Sequence, residues 1–404
     1  MPTARSKLGV IFLTVFIDLV GFGFILPILP YYSQRFGAGG LGFGALLGIY
    51  SVMQFIATVV LGRLSDRVGR RPVLLTTILV GTLGYTLFAF AGSYWMLFVA
   101  RAISGFAGGN ISVAQAYIAD VTSPAERSKG MGLVGAAFGL GFVIGPALGG
   151  IAAHYGGPEA AGLAAAGLGL VNFVSAWIIL AESLGTEYRA ARSLIDTQHL
   201  RQGLGDPALR PAFLVFGLLP FAFTGYMIAL PLYAKDAFGW GSRELGWLFS
   251  VIGIVAVVVQ GYLLGKLLRR TGNRTLILAG TLGMAVAIVA MPVAPRAALL
   301  YPWVVLLAAS NGIAVPAITG LVSMLAGASE QGAMLGAAQA LSAAGRLAGP
   351  LLWGSVYDRF GPQAAFVASA AVMLVACGVA TRIRKDRPVG ERASEEVGSV
   401  SAPG

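Results

Sequence analysis

Residues 62–75 read GRLSDRVGRRPVLL, and their reading decides the fold. Five charges, Arg63, Asp66, Arg67, Arg70 and Arg71, are packed into a short stretch between two long apolar segments. Neither Leu41–Leu61 before it nor Pro72–Ala100 after it contains a charged residue. Charge confined to a tight turn between two runs of membrane-spanning length is the pattern of a hairpin joining two transmembrane helices. A weaker copy, GKLLRRTGNRTLIL, stands at 265–278 and repeats the glycines, the leucine and the arginines at Gly265, Leu267, Arg270, Gly272 and Arg274. The two stretches lie about half a chain apart, so the sequence reads as two related halves.

Composition carries the same message. Hydrophobic residues make up 57% of the 404, charged residues only 11%, and mean hydropathy is +0.79. Ordinary soluble domains carry about 25% charge, and this chain has too few polar groups to cover a water-facing surface. The 57 glycines suit helices that approach closely in lipid. The net charge of +11 sits in particular loops, which points to membrane orientation rather than to nucleic acid. One cysteine, Cys377, in an apolar run excludes a disulfide framework and a cysteine metal cluster. The first apolar run, from Leu8, is too long for a cleavable signal peptide.

Apolar runs of spanning length fall at about 8–33, 42–62, 73–92, 95–119, 131–153, 161–181, 211–234, 244–265, 275–294, 298–326, 332–356 and 363–381. The expected architecture is therefore all-α and polytopic, twelve transmembrane helices in two pseudo-symmetric six-helix halves. The halves are 1–181 and 211–383, joined by a cytoplasmic linker at 182–210 that carries Arg189, Arg192, Arg201 and Arg210, with a disordered tail at 384–404. With the N-terminus inside, 21 of the 28 Lys and Arg fall in cytoplasmic loops and termini. Both termini are thus expected in the cytoplasm. Glu126, Gly132, Gly145 and Pro146 recur 204 residues later as Glu330, Gly336, Gly349 and Pro350, and two such halves place a substrate path at their interface near mid-membrane.

These residues resemble the major facilitator superfamily, and within it the twelve-helix drug:proton antiporters, over residues 8–383. The turn at 62–75 matches that family's G-x-L-x-D-R-x-G-R-R-P pattern. Asp18-Leu-Val-Gly-Phe-Gly-Phe-Ile-Leu-Pro27 looks like its first-helix motif, Arg101-Ala-Ile-Ser-Gly105 like its fourth-helix arginine motif, and GLGFVIGPALGG at 139–150 like its fifth-helix antiporter signature. The tetracycline:proton antiporter branch is the nearest within it, through Phe238-Gly-Trp240, AVPAITGLVS (314–323) and EQGAMLGAAQ (330–339). Three polar positions of that branch are apolar here: Gly84-Tyr85 and Met284 stand near its acids, and Ala256 stands where it has a histidine. Tetracycline transport therefore does not follow from the resemblance.

Asp18 lies about ten residues into the first span, near mid-bilayer at 1.5 Å per residue, and is the one carboxylate deep within a span. An intramembrane acid suits proton coupling; the plain alternative is an interhelical hydrogen bond. For Arg101 the resemblance implies a part in proton transfer, against a packing anchor. Arg346 in the eleventh span has Phe142 as its repeat counterpart, and could pair with Asp18, attract an anion or bond backbone carbonyls. For Gly62, Asp66, Arg70 and Asp120 the resemblance implies a conformational charge cluster, whereas Arg67 and Arg71 read as solvated topology charges. Gly139, Gly141, Gly145, Pro146, Gly149 and Gly150 read as close-packing shape that seals the outer side. Candidate cavity residues are Phe22, Tyr50, Gln54, Asn110, Gln115, Tyr226, Asn311, Gln339 and Arg346. Tyr117, Asn172 and Gln260 are further polar or aromatic residues in spans, and His154 and His199 read as loop residues.

No phosphate loop, metal-ligand spacing or nucleophile–base pair is visible, so the chain is expected to be no enzyme and to take no cofactor or metal. The expected function is export of small lipophilic organic compounds, multidrug or tetracycline-like, in exchange for protons across the cell inner membrane. Its partners are a small-molecule substrate, protons and the bilayer, not nucleic acid, with a monomer as the working form. The alternatives are a sugar or organic-anion carrier of the same fold, a membrane enzyme and a non-transporting sensor.

Overall fold

The computed structural model describes residues 4–122, 127–183, 197–326 and 330–384. Glu126, Arg189, Arg192 and the 385–404 tail lie outside the described residues. Among those described, regular structure is helical throughout, with no strand. The first stretch holds α1 (Ala4–Ile25), α2 (Leu29–Gln34), α3 (Gly40–Val68), α4 (Arg70–Ala89), α5 (Tyr94–Ala107) and α6 (Asn110–Val121). There follow α7 (Arg127–Ile179), α8 (Thr197–Gly205), α9 (Arg210–Phe238) and α10 (Ser242–Val258). A π-helical turn, Val259–Leu263, runs into α11 (Leu264–Ala290), and α12 (Leu300–Leu325) and α13 (Gln331–Ala380) complete the order. The interval expected as a linker thus holds the short helix α8.

Nine helices among the described residues are long and apolar enough to cross a membrane. Three of them, Gly130–Ile179, Ser242–Val293 and Gln331–Ala380, run for 50 to 52 residues, more than twice the ~20 residues that a bilayer core needs. Each of the three carries two of the expected spans, and each contains a break in its backbone. The breaks fall at Gly156–Gly157, Gly272 and Gly361, where Gly157, Gly272 and Gly361 have φ of 72°, 77° and 82° with ψ of 179°, 167° and 176°. That combination of dihedrals is essentially reserved for glycine. Gly69, the single residue between α3 and α4, adopts the same kind of conformation at φ 106° and ψ 153°.

The chain divides into two compact units. The first comprises residues 1–194 together with Pro231–Ile254 and Pro350–Asp358, and the second comprises Ile195–Leu230, Val255–Gly349 and 359–404. In the first, α1 packs along α7, and α4 packs on α5 and α7. Its core joins Ile11, Val15 and Leu19 of α1 to Val73, Leu74 and Ile78 of α4, Val113 and Tyr117 of α6 and Ala137 of α7. In the second, α11 packs on α12, and the core gathers Phe213 and Phe216 of α9, Ile277 of α11, Ile318 and Leu321 of α12 and Ala338 of α13. Large apolar side chains such as Leu83, Trp177, Ile178, Val258 and Leu374 stay exposed. On a helix with no partner for that face, such residues are fit for lipid, since the helix already satisfies its own backbone hydrogen bonds.

Candidate functional site

Glycine contacts set the geometry of the first unit. A Cβ at Gly105 of α5 would collide with the Tyr50 backbone of α3, and one at Gly109 with the backbone at Ala57. The two helices therefore run in close contact, and Arg101, one turn before Gly105, is carried onto the Tyr50 ring. Its guanidinium carbon lies 4.3 Å from the Tyr50 centroid and 5.9 Å from that of Phe22, while Nε donates to the Leu46 carbonyl at 3.5 Å. Phe22 in turn lies 5.0 Å from Tyr50 and 6.0 Å from Phe142 of α7. Arg101 is 2% exposed. Aromatic faces stabilise a desolvated guanidinium by about 2 kcal/mol, so this cation is held by π-systems. The ion pairs among the described residues are Arg35–Glu159, Arg70–Asp66 and Arg70–Asp120, and none of them involves Arg101 or Asp18.

Asp18 of α1 is half-buried and accepts a hydrogen bond at Oδ2 from Asn110 Nδ2 at 3.1 Å. Asn110 is buried at the first position of α6, just past the Gly108–Gly109 step that separates α5 from α6. Gln54 Nε2 donates to the Gly108 carbonyl at 3.4 Å, and Gly21 of α1 makes room for the Tyr85 ring, which a Cβ there would meet at 3.1 Å. The structure thus gathers Asp18, Phe22, Tyr50, Gln54, Arg101 and Asn110 in the first unit. Tyr85 and Phe142 join them, two residues whose part the sequence did not disclose. Of the other expected cavity residues, Gln115 belongs to the first unit and Tyr226, Asn311, Gln339 and Arg346 to the second. Gln115 and Gln339 are exposed and Asn311 is half-buried. Tyr226 is buried against Phe223, and Arg346 Nη1 donates to Ser342 Oγ at 2.6 Å one turn back on α13.

Where a resemblance to the tetracycline branch would place an acid, Gly84 packs so closely on α5 that a Cβ would strike Ser104. Met284 is fully buried in the second unit. These apolar positions are built into the packing.

The turn between α3 and α4 forms a second cluster. Arg70 Nη1 lies 2.7 Å from Asp66 Oδ1 and 2.6 Å from Ser65 Oγ, and its Nε lies 3.1 Å from Asp120 Oδ2 at the end of α6. Ser183 Oγ also donates to Asp120 Oδ2, at 3.1 Å. Glu182, past the end of α7, accepts from the backbone N–H of Arg70 at 2.9 Å and of Arg71 at 3.2 Å. It therefore caps the positive N-terminal end of α4. Gly69 makes room for this, because a Cβ there would strike the Glu182 carboxyl. Arg71, expected as a solvated topology charge, is engaged: Nε and Nη2 donate to the Leu180 and Trp177 carbonyls, each at 2.7 Å. These carbonyls end a helix and have no partner within it. Glu182 was passed over in the sequence because it opens a polar interval; an acid just past an apolar run, with the turn's unpaired N–H groups to satisfy, was the available signal. Gly62 has room for a side chain, with Ser112 Oγ at 3.9 Å from a built Cβ.

On α7 the expected signature has two faces. Gly141, Gly145 and Gly149 admit Leu19, Val20, Gly23 and Phe24 of α1, which fixes the height of Asp18. Gly150 meets Ser242 and Arg243, the Pro146 carbonyl meets Gly246, and Ser250 Oγ of α10 donates to the Val143 carbonyl at 2.6 Å. Gly139 is half-buried. No group of three or more His, Cys, Asp or Glu able to hold a metal ion occurs among the described residues.

The family model described as Major Facilitator Superfamily matches residues 11–305 and 212–403. The chain is 32% identical over 369 residues to the tetracycline resistance protein, class B, of Escherichia coli, which covers 88% of this chain and 89% of that one. Multidrug resistance protein 2 of Bacillus subtilis is 28% identical over 380 residues, covering 92% and 94%. Among solved structures, the crystal structure of the human organic anion transporter MFSD10 (TETRAN) aligns at a TM-score of 0.70 and 26% identity, over 94% of this chain and all of that one. With its helices, its charged turn and its membrane-facing surface in agreement, the chain belongs to the major facilitator superfamily and is a multi-pass membrane transporter.

Proposed function

We propose that the protein exports small lipophilic organic compounds in exchange for protons, by alternating access. Each overlong helix is read as two spans joined at its glycine break, which makes twelve. The protein then sits in the inner membrane as a monomer with both termini in the cytoplasm. The observation that carries the reading is Asp18, a carboxyl on a spanning helix held by Asn110 and one turn from Phe22, a ring of the aromatic box around Arg101. Asn110 donates to Oδ2, which leaves Oδ1 to take the proton. The ionised form is costly at that depth without a paired cation, so a proton arriving from outside neutralises Asp18 and lets the cavity change the side to which it opens. Release of the proton inside resets it. Phe22, Tyr50 and Phe142 offer a flat apolar surface for a lipophilic substrate. Relatives named for tetracycline and multidrug resistance support export of such compounds. At about 2.3 kcal/mol per 100 mV, one proton drives a modest accumulation.

The test is substrate-induced proton movement in proteoliposomes, across lipophilic cations, tetracyclines, sugars and organic anions, with Asp18→Asn in parallel. Proton release with a lipophilic compound, lost in the variant, is the expected result. Unchanged coupling in Asp18→Asn refutes the mechanism. A second reading, carriage of an organic anion, is favoured by Arg101, which is buried without a carboxylate among the described residues, and by the description of the human relative as an organic anion transporter. A response confined to anions establishes it.

A further inference from the structure

Helix α13 carries Pro350, Gly354 and Asp358 at four-residue spacing, on one face. Within the first unit this face lies against the start of α3. A Cβ at Gly40 would strike the Gly354 carbonyl, one at Gly44 the Pro350 carbonyl, and one at Gly354 the Gly40 backbone. One turn on, both Asp358 oxygens take hydrogen bonds from the first N–H groups of α3: Oδ1 from Gly40 N at 2.6 Å and Oδ2 from Leu41 N at 2.8 Å. The residue at α3's own N-cap is Gly39, which has no side chain to do this. A helix N-terminus is the positive end of its dipole and leaves four N–H groups unpaired, so α3 obtains its cap from a residue 318 positions away. Two further bonds flank the crossing, Lys235 Nζ with Gln34 Oε1 and Tyr357 Oη to Asp236 Oδ2 at 3.2 Å.

The sequence around Asp358 repeats the spacing of the charged turn. Gly354-x-x-x-Asp358-Arg359-x-Gly361 parallels Gly62-x-x-x-Asp66-Arg67-x-Gly69, and both end on a glycine of positive φ. After Gly69 comes Arg70, which takes up Asp66; after Gly361 comes Pro362, and Asp358 instead reaches the α3 terminus.

We propose that Asp358 is a latch: its carboxylate, capping α3 from α13, holds the outer side of the transporter closed and must let go in every transport cycle. This rests on the alternating-access reading above, in which α3 and α13 belong to opposite halves. The crossing suits a reversible contact. Its closest approaches are backbone to backbone at Gly40, Gly44 and Gly354, with the Tyr357 side chain resting on Gly40, and Leu41 is already exposed, so water can satisfy the N–H groups and the carboxylate when they part. A staple that only stabilised the fold would have no need to come from the other half of the chain.

The test uses the full-length protein in proteoliposomes without substrate or proton gradient, so its outcome is independent of proton-coupled export. Spin labels at Trp95→Cys and Phe360→Cys, in a Cys377→Ala background, report the outer separation by pulsed dipolar spectroscopy. Asp358→Ala is expected to raise the ratio of open to closed populations about tenfold, the change that 1.4 kcal/mol produces, and Asp358→Glu to restore most of it. Asp358→Asn, nearly isosteric, is the second variant should the alanine form fail to fold. An unchanged distance distribution in the folded Asp358 variant overturns the latch. So does a shift in Gly44→Ala that Asp358→Ala does not share, which would place the closure in the glycine crossing alone.

Discussion

The turn at 62–75 and its copy at 265–278 are two solutions to one joint. In both, a glycine of positive φ, Gly69 or Gly272, turns the chain between helices. In both, an arginine two residues on ties the turn to the end of its half's last helix: Arg71 to the Trp177 and Leu180 carbonyls, and Arg274 to the Thr381 carbonyl at 2.8 Å. Thr381 is Trp177 displaced by 204 residues, so the same cap is made twice. The charge cluster is not. Where the first half has Asp66, Arg70 and Asp120, the second has Arg269, Asn273 and Met324. What a helical joint requires has been kept in both halves; what is present in one alone is free to serve the transport cycle.

That division can be broken by experiment. Arg70→Gln leaves Asp66 and Asp120 without their shared cation, and transport into inverted vesicles should fall on the order of a hundredfold, two decades at 1.4 kcal/mol each. Arg269→Gln, at the counterpart of Asp66, should stay within about twofold. Equal losses in the two would abolish the distinction. Gly69→Ala and Gly272→Ala should each cost about 1–3 kcal/mol of stability, because alanine is strained at those dihedrals. A lowered apparent melting temperature of the purified protein would show it, while Gly62→Ala, inside a helix with space for a methyl, should hold or raise that temperature. Arg71→Met and Arg274→Met should each remove about 1–2 kcal/mol through the lost carbonyl caps, again in the same assay and in the same direction. Arg67→Gln and Arg270→Gln, both exposed, should change stability by less than about 0.5 kcal/mol.

Much of the fold was legible because a bilayer is a simple solvent: apolar runs, charged turns and the half-chain repeat all follow from it. The candidate site was legible where a rare residue type stood out. Asp18 and Arg101 are conspicuous as charges in apolar helices, and Asp66 and Arg70 as a patterned pair. Their partners were harder to see. Arg101's partners are rings on α1 and α3: Phe22 and Tyr50 were expected to line a cavity, but nothing in their spacing tied them to Arg101 or marked Phe142, which packs on Phe22. Arg71 and Glu182 looked like loop charges, since their roles depend on helix ends meeting across a hundred residues of chain. Asp358 falls between the spans expected at 332–356 and 363–381 and drew no reading, because the N-terminus it caps belongs to a helix near the start of the sequence.

The single residue between α3 and α4 has a consequence for how the protein is made. With only Gly69 for a loop, neither helix offers a tether that would let it enter the bilayer long before the other. A one-residue link between two helices gives a protease or an engineered epitope no free strand to occupy, even though the Arg67 and Val68 side chains at its edge are exposed. Tags and cleavage sites for following this protein in cells belong outside this turn.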